Sequence, residues 1–196
     1  MTAPRDRLLA AAIEYFAAEG IGDTSLRAIA TALDTSHRML IYHFGSREGL
    51  LAAVVHAVEA QQRDALAELM ADADLPPAEQ AMRLWRRVAE AALVYGPLFF
   101  ELSAHAVQDR PYTAPLREGL VWMWLPPLTE LYRRAGMAEA EARAGARLGL
   151  GAARGLLLDL LATGDRAGVE QAIELLQRLL FERVVGPSGP TGPTAP

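Results

Sequence analysis

From Thr24 to Leu51 the chain reads TSLRAIATALDTSHRMLIYHFGSREGLL, and this stretch leaves little choice of local structure. Leu26, Ile29, Ala30 and Leu33 recur at helical spacing and make one apolar face. Thr24 is predicted to cap that helix by accepting from a backbone N–H two or three residues on. Asp34 stands where the chain must turn, and Asp tolerates left-handed geometry better than most residues. Ser36 is the next N-cap, for a second short helix over 37–43 anchored by Leu40, Ile41 and Phe44. Gly45 stops that helix, and Ser46 caps a third that begins at Arg47.

Helix, tight turn and second short helix make a helix-turn-helix. That plan lays its second helix in the DNA major groove with its early residues towards base edges. The side chains predicted on the outer face are Ser36, His37, Arg38, Met39, Tyr42 and His43, which are hydrogen-bonding, cationic or flat groups suited to bases and phosphates. Thr24 and Arg27 flank this face. Arg47, at the start of the next helix, is expected to grip phosphate beside that helix's positive dipole end. Between Ser36 and Arg47 there are two Arg and no acid, a local balance of +2. The alternative for the same residues is a solvated face on a small helical domain.

The run covering roughly the first 51 residues resembles the N-terminal DNA-binding domain of the TetR family of transcriptional regulators. The resemblance rests on an opening amphipathic helix ending near Gly20, then Thr24, Ile29-Ala30, Leu33, Ser36, Leu40 and the string His43-Phe44-Gly45-Ser46-Arg47-Glu48-Gly49-Leu50-Leu51. Asp34 replaces the usual turn glycine, Arg38 the usual small residue, and Arg47 the usual lysine. Ile41 occupies the usual aromatic position, with Tyr42 one place later. The resemblance implies an all-α protein with an N-terminal three-helix DNA-binding domain over 1–48. A larger helical effector-binding and dimerisation domain is expected over 49–185, and a disordered tail over 186–196. It further implies a homodimer on double-stranded palindromic operator DNA, more often a repressor than an activator. A small, mainly apolar effector would release it.

Bulk properties bound the alternatives. Of the 196 residues 52% are hydrophobic, enough for a core, and the absence of Cys excludes disulfides and thiolate metal sites. No charged-then-apolar leader opens the sequence, and the richest apolar run, Leu148 to Ala162, contains Arg154 and Asp159. A soluble cytoplasmic protein is expected. Net charge is −5, and residues 1–50 hold five Arg against six acids, a balance of −1. Phosphate contacts are local, since the Debye length is about 8 Å in physiological salt. Few phosphate contacts per subunit and salt-sensitive binding are therefore expected.

The chain beyond Leu51 reads as further helices. The first helix begins at Thr2 or Pro4. The helix from Ser46 reaches about Ala71, long enough to act as a lever between two domains. A break at Asp72 to Pro77 precedes a helix over 78–95. Gly96-Pro97 is expected to break that helix, and a short helix follows over 98–108. Pro126-Pro127 is expected to kink or restart the pattern over 116–135. Two long helices follow, over 138–163 and 166–185.

The aromatics Trp85, Phe99, Phe100, Trp122 and Trp124, with Tyr95, Ser103 and His105 (and Glu101) as polar groups, are candidates for an effector pocket. The alternative is ordinary core. Small residues at helical spacing, Gly145, Gly149, Ala152 and Ala153, and also Gly151 with Gly155, lead with Leu156 into Ile173, Leu176, Leu179 and Leu180 as a candidate dimer surface, which in two copies would make a four-helix bundle. The alternative is a contact within one chain. An enzyme is not expected: the four His are scattered, and there is no HExxH, Gly-x-Ser-x-Gly, phosphate loop or dinucleotide turn. No cofactor motif and no metal set is present. The functional alternative is a helical ligand-binding or protein-interaction module without specific DNA binding.

Overall fold

The computed structural model describes residues 3–71 and 74–182. The tail expected over 186–196, the end of the helix predicted to reach 185, and Thr2 as a helix start lie outside these residues. Among the described residues there are nine α-helices and no strand. They are α1 (Pro4–Glu19), α2 (Leu26–Ala32), α3 (His37–Phe44), α4 (Arg47–Ala71), α5 (Pro77–Val107), α6 (Ala114–Gly119), α7 (Leu125–Arg134), α8 (Glu139–Thr163) and α9 (Arg166–Gln177). A 3₁₀ turn, Pro111–Thr113, precedes α6, and a π turn, Arg178–Glu182, extends α9.

The punctuation follows the local chemistry. Pro4 occupies the first turn of α1, where its missing N–H costs nothing, and Gly20 ends the helix at φ 77°. Ser25, not Thr24, caps α2, its hydroxyl accepting from Ala28 N–H at 3.3 Å. Thr24 instead contributes its carbonyl to a contact described below. Asp34 adopts φ 48°, as its place in the turn required. Ser36 accepts from Met39 N–H at 3.1 Å and Ser46 from Gly49 N–H at 3.0 Å.

Gly96-Pro97 does not break the chain: α5 runs through both. Pro97 faces solvent, and so does Leu93, whose carbonyl would otherwise accept from residue 97. Gly96 is buried against Leu161 of α8, so tertiary packing carries the helix through the proline. Pro126-Pro127 does restart the helix, lying in the first turn of α7 after a run of turns over 120–124.

Three apolar clusters make up the interior. The first joins Phe16, Ile29, Leu40 and Phe44 of the first three helices to Leu50, Leu51, Val54 and Val55 of α4. It continues into Leu98 and Leu102 of α5 and Leu116 of α6. A unit of about 50 residues is marginal alone; this one shares its core with α4, α5 and α6. The second cluster packs Leu69 against Trp124, Leu128, Leu131 and Tyr132. The third packs Trp85 and Ala89 against Leu157, Leu160, Val169 and Ile173 of α8 and α9.

A buried amide staples the far end of α4. Gln80 Nε2 donates to the Leu69 carbonyl, and Arg134 donates to Gln80 Oε1 and the Leu75 carbonyl, each at 2.8 Å. Gln80→Ala strands both the Leu69 carbonyl and one Arg134 donor. It is expected to destabilise the protein by about 1–3 kcal/mol in urea unfolding, whereas an exposed Gln61→Ala leaves the midpoint within about 0.5 kcal/mol.

Candidate nucleic-acid interface and ligand cavity

The second helix of the helix-turn-helix presents its early residues outward. Ser36, His37, Arg38 and Met39 are exposed on α3, and Tyr42 is 79% exposed. Arg27 on α2 is also exposed, and Thr24 is half-buried beside it. Leu40 and Phe44 hold α3 to the core, but Ile41, expected as a third anchor, is 41% exposed and belongs to the outer face. The helix turns 100° per residue, so 40 and 44 define the inner side and 41 leaves it. His43 is half-buried, edge-on to Tyr42 (ring centroids 4.9 Å apart), with its Nε2 enclosed. It sits at the border of this face rather than at its centre.

Arg47 has a different occupation from the phosphate contact expected of it. Its Nε donates to the Thr24 carbonyl at 2.8 Å, and its Nη2 donates to the carbonyls of Ile21 (3.2 Å) and Gly22. The guanidinium thus ties the start of α4 to the turn between α1 and α2. The same turn is held from the other side by α5. Glu101, read from sequence as a pocket polar group, accepts from Ile21 N–H at 2.8 Å and Gly22 N–H at 3.4 Å. Nearby, Tyr112 hydrogen-bonds His105 Nδ1 at 2.7 Å. Burial pushes the Tyr112 phenol up from its ordinary value, with Arg47 and Arg110 partly opposing the shift.

A cavity of about 380 Å³ lies between α4, α5, α7, α8 and α9. Of the sequence candidates, Trp85, Tyr95, Phe99, Phe100 and Trp124 line it. Ser103, His105 and Trp122 do not. Ser103 donates to the Phe99 carbonyl within its own helix. His105 turns to Tyr112, and Trp122 is 67% exposed with the Arg147 guanidinium 5.6 Å from its ring. The direction of these side chains depends on how α5 and the turns before α7 rotate, which spacing alone does not give.

Polar groups that the sequence did not single out also reach the cavity: Tyr132, Gln177 and Arg154. Burial pushes the Tyr132 phenol up to about 12 and draws the Arg154 guanidinium down to about 10, so Arg154 stays cationic at neutral pH. Trp124 Nε1 and Gln177 Oε1 are buried without hydrogen-bond partners.

The residues expected at a dimer surface mostly serve the chain's own core. Ile173 and Leu180 are buried, and Leu156 and Leu176 pack on the third cluster. Gly145 and Gly149 make room for Tyr132 of α7, and Ala152 is half-buried. Of the expected residues Leu179, in the π turn after α9, is exposed; the other exposed apolar positions lie one step round the helices, Leu148 and Leu158 on α8 and Leu175 on α9. Gly151 and Gly155 lie between the two α8 leucines with open space before their Cα atoms. The small-residue pattern signalled close packing correctly, but two such stripes interleave on α8, and one faces inward.

Residues 8–54 match the family model of bacterial regulatory proteins, tetR family. The HTH-type transcriptional repressor NicS of Pseudomonas putida is 37% identical over 79 residues, 40% of this chain. The matched stretch spans about a third (36%) of that repressor's length. Solved structures with this fold cover nearly the whole chain. A transcriptional regulator from Rhodococcus sp. aligns with a TM-score of 0.80 at 20% identity, covering 94% of this chain and 100% of that one. The regulatory protein TetR from Rhodobacter sphaeroides aligns at 0.76 and 17% identity, covering 90% and 98%. Residues 8–54 thus carry the sequence likeness to bacterial regulatory proteins of the tetR family, and the solved structures show the fold over nearly the whole chain. Among the described residues no helix is long and apolar enough to cross a membrane.

The clamp on the turn between α1 and α2 yields a direct expectation. Glu101→Ala leaves two N–H groups without their charged acceptor and should cost about 1.5–3 kcal/mol of stability by denaturant unfolding. Glu101→Gln, which keeps one acceptor oxygen, should lose less. Equal loss in both variants would mean that the carboxylate charge, not the acceptor geometry, holds the turn.

Proposed function

We propose that this protein is a DNA-binding transcriptional regulator, acting as a homodimeric repressor that leaves a palindromic operator when a small, mainly apolar effector enters the cavity. The observation that carries this reading is the outer face of α3. A short helix capped by Ser36 exposes Ser36, His37, Arg38, Met39 and Tyr42 together, while Leu40 and Phe44 fix it to a rigid core. Exposed side chains of those types on a well-anchored helix suit major-groove contact.

The effector reading draws on the course of two helices. The N-terminal end of α4 is bound through Arg47 to the turn before α2, while Val58, Gln61, Gln62 and Ala65 further along line the cavity. On α5, Phe99 and Phe100 line the cavity and the next residue, Glu101, holds the same turn. A ligand that prefers one disposition of these helices would shift the DNA-reading units. It would do so only by its differential affinity for the two states. The dimer reading draws on Leu148, Gly151, Gly155 and Leu158, an unfilled stripe on α8 beside Leu175 and Leu179. Two copies would place two recognition helices in successive major grooves about 34–36 Å apart.

The acidic balance of the first 50 residues favours the second reading, an interaction module without specific DNA binding. Titration of the protein against its own upstream DNA at two salt concentrations, with a random fragment as competitor, separates the two. A salt-sensitive, sequence-specific complex containing two subunits or a multiple is expected. Arg38→Ala is expected to weaken that complex by about 1–3 kcal/mol, measured by fluorescence anisotropy, if Arg38 reads a base. Leu158→Glu is expected to convert the dimer to monomer in sedimentation velocity and to abolish operator binding while the helical circular dichroism persists.

A further inference from the structure

One charge in the cavity has no counterpart. Arg154 reaches the cavity from α8 with its guanidinium 5.7 Å from the centre of the Phe99 ring. Among the described residues it makes no hydrogen bond and no ion pair. The other cation on the lining, Arg87, is paired with Glu68. Asp64, the carboxylate on the lining, faces solvent and forms no ion pair with Arg154.

Taking a charge out of water without a partner is costly, and buried polar groups are as a rule hydrogen-bonded. Stacking on an aromatic face satisfies one side of a guanidinium but none of its five N–H donors, which point out along its edges. Burial already opposes the cationic form, yet Arg154 remains charged at neutral pH. The Trp124 Nε1 donor on the same cavity is also without an acceptor. The same cavity is lined by the apolar and aromatic Trp85, Val88, Phe99, Phe100 and Leu157, with Gln177 Oε1 as an unfilled acceptor. An apolar enclosure with unfilled donors fits a ligand that brings its own acceptor. A single unpaired cation matches a single negative charge, and the planar fork of a guanidinium matches the two oxygens of a carboxylate.

Building on the reading of this cavity as the effector site, we propose that its ligand is a small apolar carboxylic acid, bound as the carboxylate with its two oxygens on Arg154 and its apolar body among the aromatic side chains. Arg154 is then the residue that selects the acid over a neutral molecule of the same shape.

The test uses the full-length protein and matched pairs of acid and alcohol: benzoate with benzyl alcohol, and octanoate with 1-octanol. Affinities are measured by isothermal titration. The acid of at least one pair is expected to bind about tenfold or more tighter than its alcohol, the size of one charge-assisted hydrogen-bonded contact. Arg154→Gln is expected to bring that ratio close to one while alcohol binding stays within about twofold of wild type. Arg154→Lys keeps the charge without the fork and is expected to retain a reduced preference. The thermal midpoint of the ligand-free Arg154→Gln protein is expected to be unchanged or higher, because an unpaired, half-buried charge is removed. Alcohols that bind as well as their acids to wild type, or a ratio that survives in Arg154→Gln, would overturn the role of Arg154 and leave the cavity reading standing. Absence of binding by both members of both pairs would overturn the cavity reading together with this one.

Discussion

The turn over residues 20–24 is the point on which the two halves of the molecule depend. Its carbonyls accept from Arg47 at the start of α4, and its N–H groups donate to Glu101 on α5. A turn of this kind, with Gly20 at φ 77° and Gly22 at φ 40°, has little preference of its own for one geometry. Two charged side chains of opposite sign, bonded to opposite sides of its backbone, supply that preference. Because charge-assisted hydrogen bonds are both short and directional, they fix the direction in which α2, and so α3, leaves α1.

That clamp holds the helix-turn-helix unit, whose interior is shared with the helices that follow. Its helices bury Phe16, Ile29, Leu40 and Phe44 against α4, α5 and α6, so any displacement of α4 or α5 is felt in the same core. Both helices go on to form walls of the cavity. The cavity and the exposed face of α3 are thus attached to the same two helices at different heights. Packed interiors resist continuous deformation, so such an arrangement suits switching between two dispositions rather than gradual bending.

The charge distribution follows the same division. The whole chain is acidic at −5, yet the stretch from Ser36 to Arg47 carries no acid. Arg47 is committed to backbone carbonyls, so the cationic part of the exposed α3 face rests on Arg38, with Arg27 on α2 beside it. In the cavity the balance is reversed in kind: most of the wall is neutral and apolar, and Arg154 provides an unpaired, partly desolvated cation.

Much of the first 51 residues was legible in the sequence because local rules govern it. Ser36 and Ser46 capped their helices, Asp34 took positive φ, and Gly20 and Gly45 ended helices, since each outcome depends on atoms within a few residues. Where the alternatives lay one residue apart, as with Thr24 and Ser25, spacing could not choose between them. Other outcomes were set at long range. Pro97 stayed helical because its face of α5 is exposed while Gly96 packs on Leu161. Gly145 and Gly149 turned inward to Tyr132, leaving Gly151 and Gly155 facing out. Trp122 and His105 left the cavity, and Arg154 entered it from within an apolar run. The sequence by itself determined the helical content, the caps and the outward chemistry of α3, because these are short-range hydrogen-bonding and periodicity effects. Tertiary structure alone decided which face of each long helix met the cavity, the core or solvent, because a helix rotates as a body and only its neighbours set that rotation.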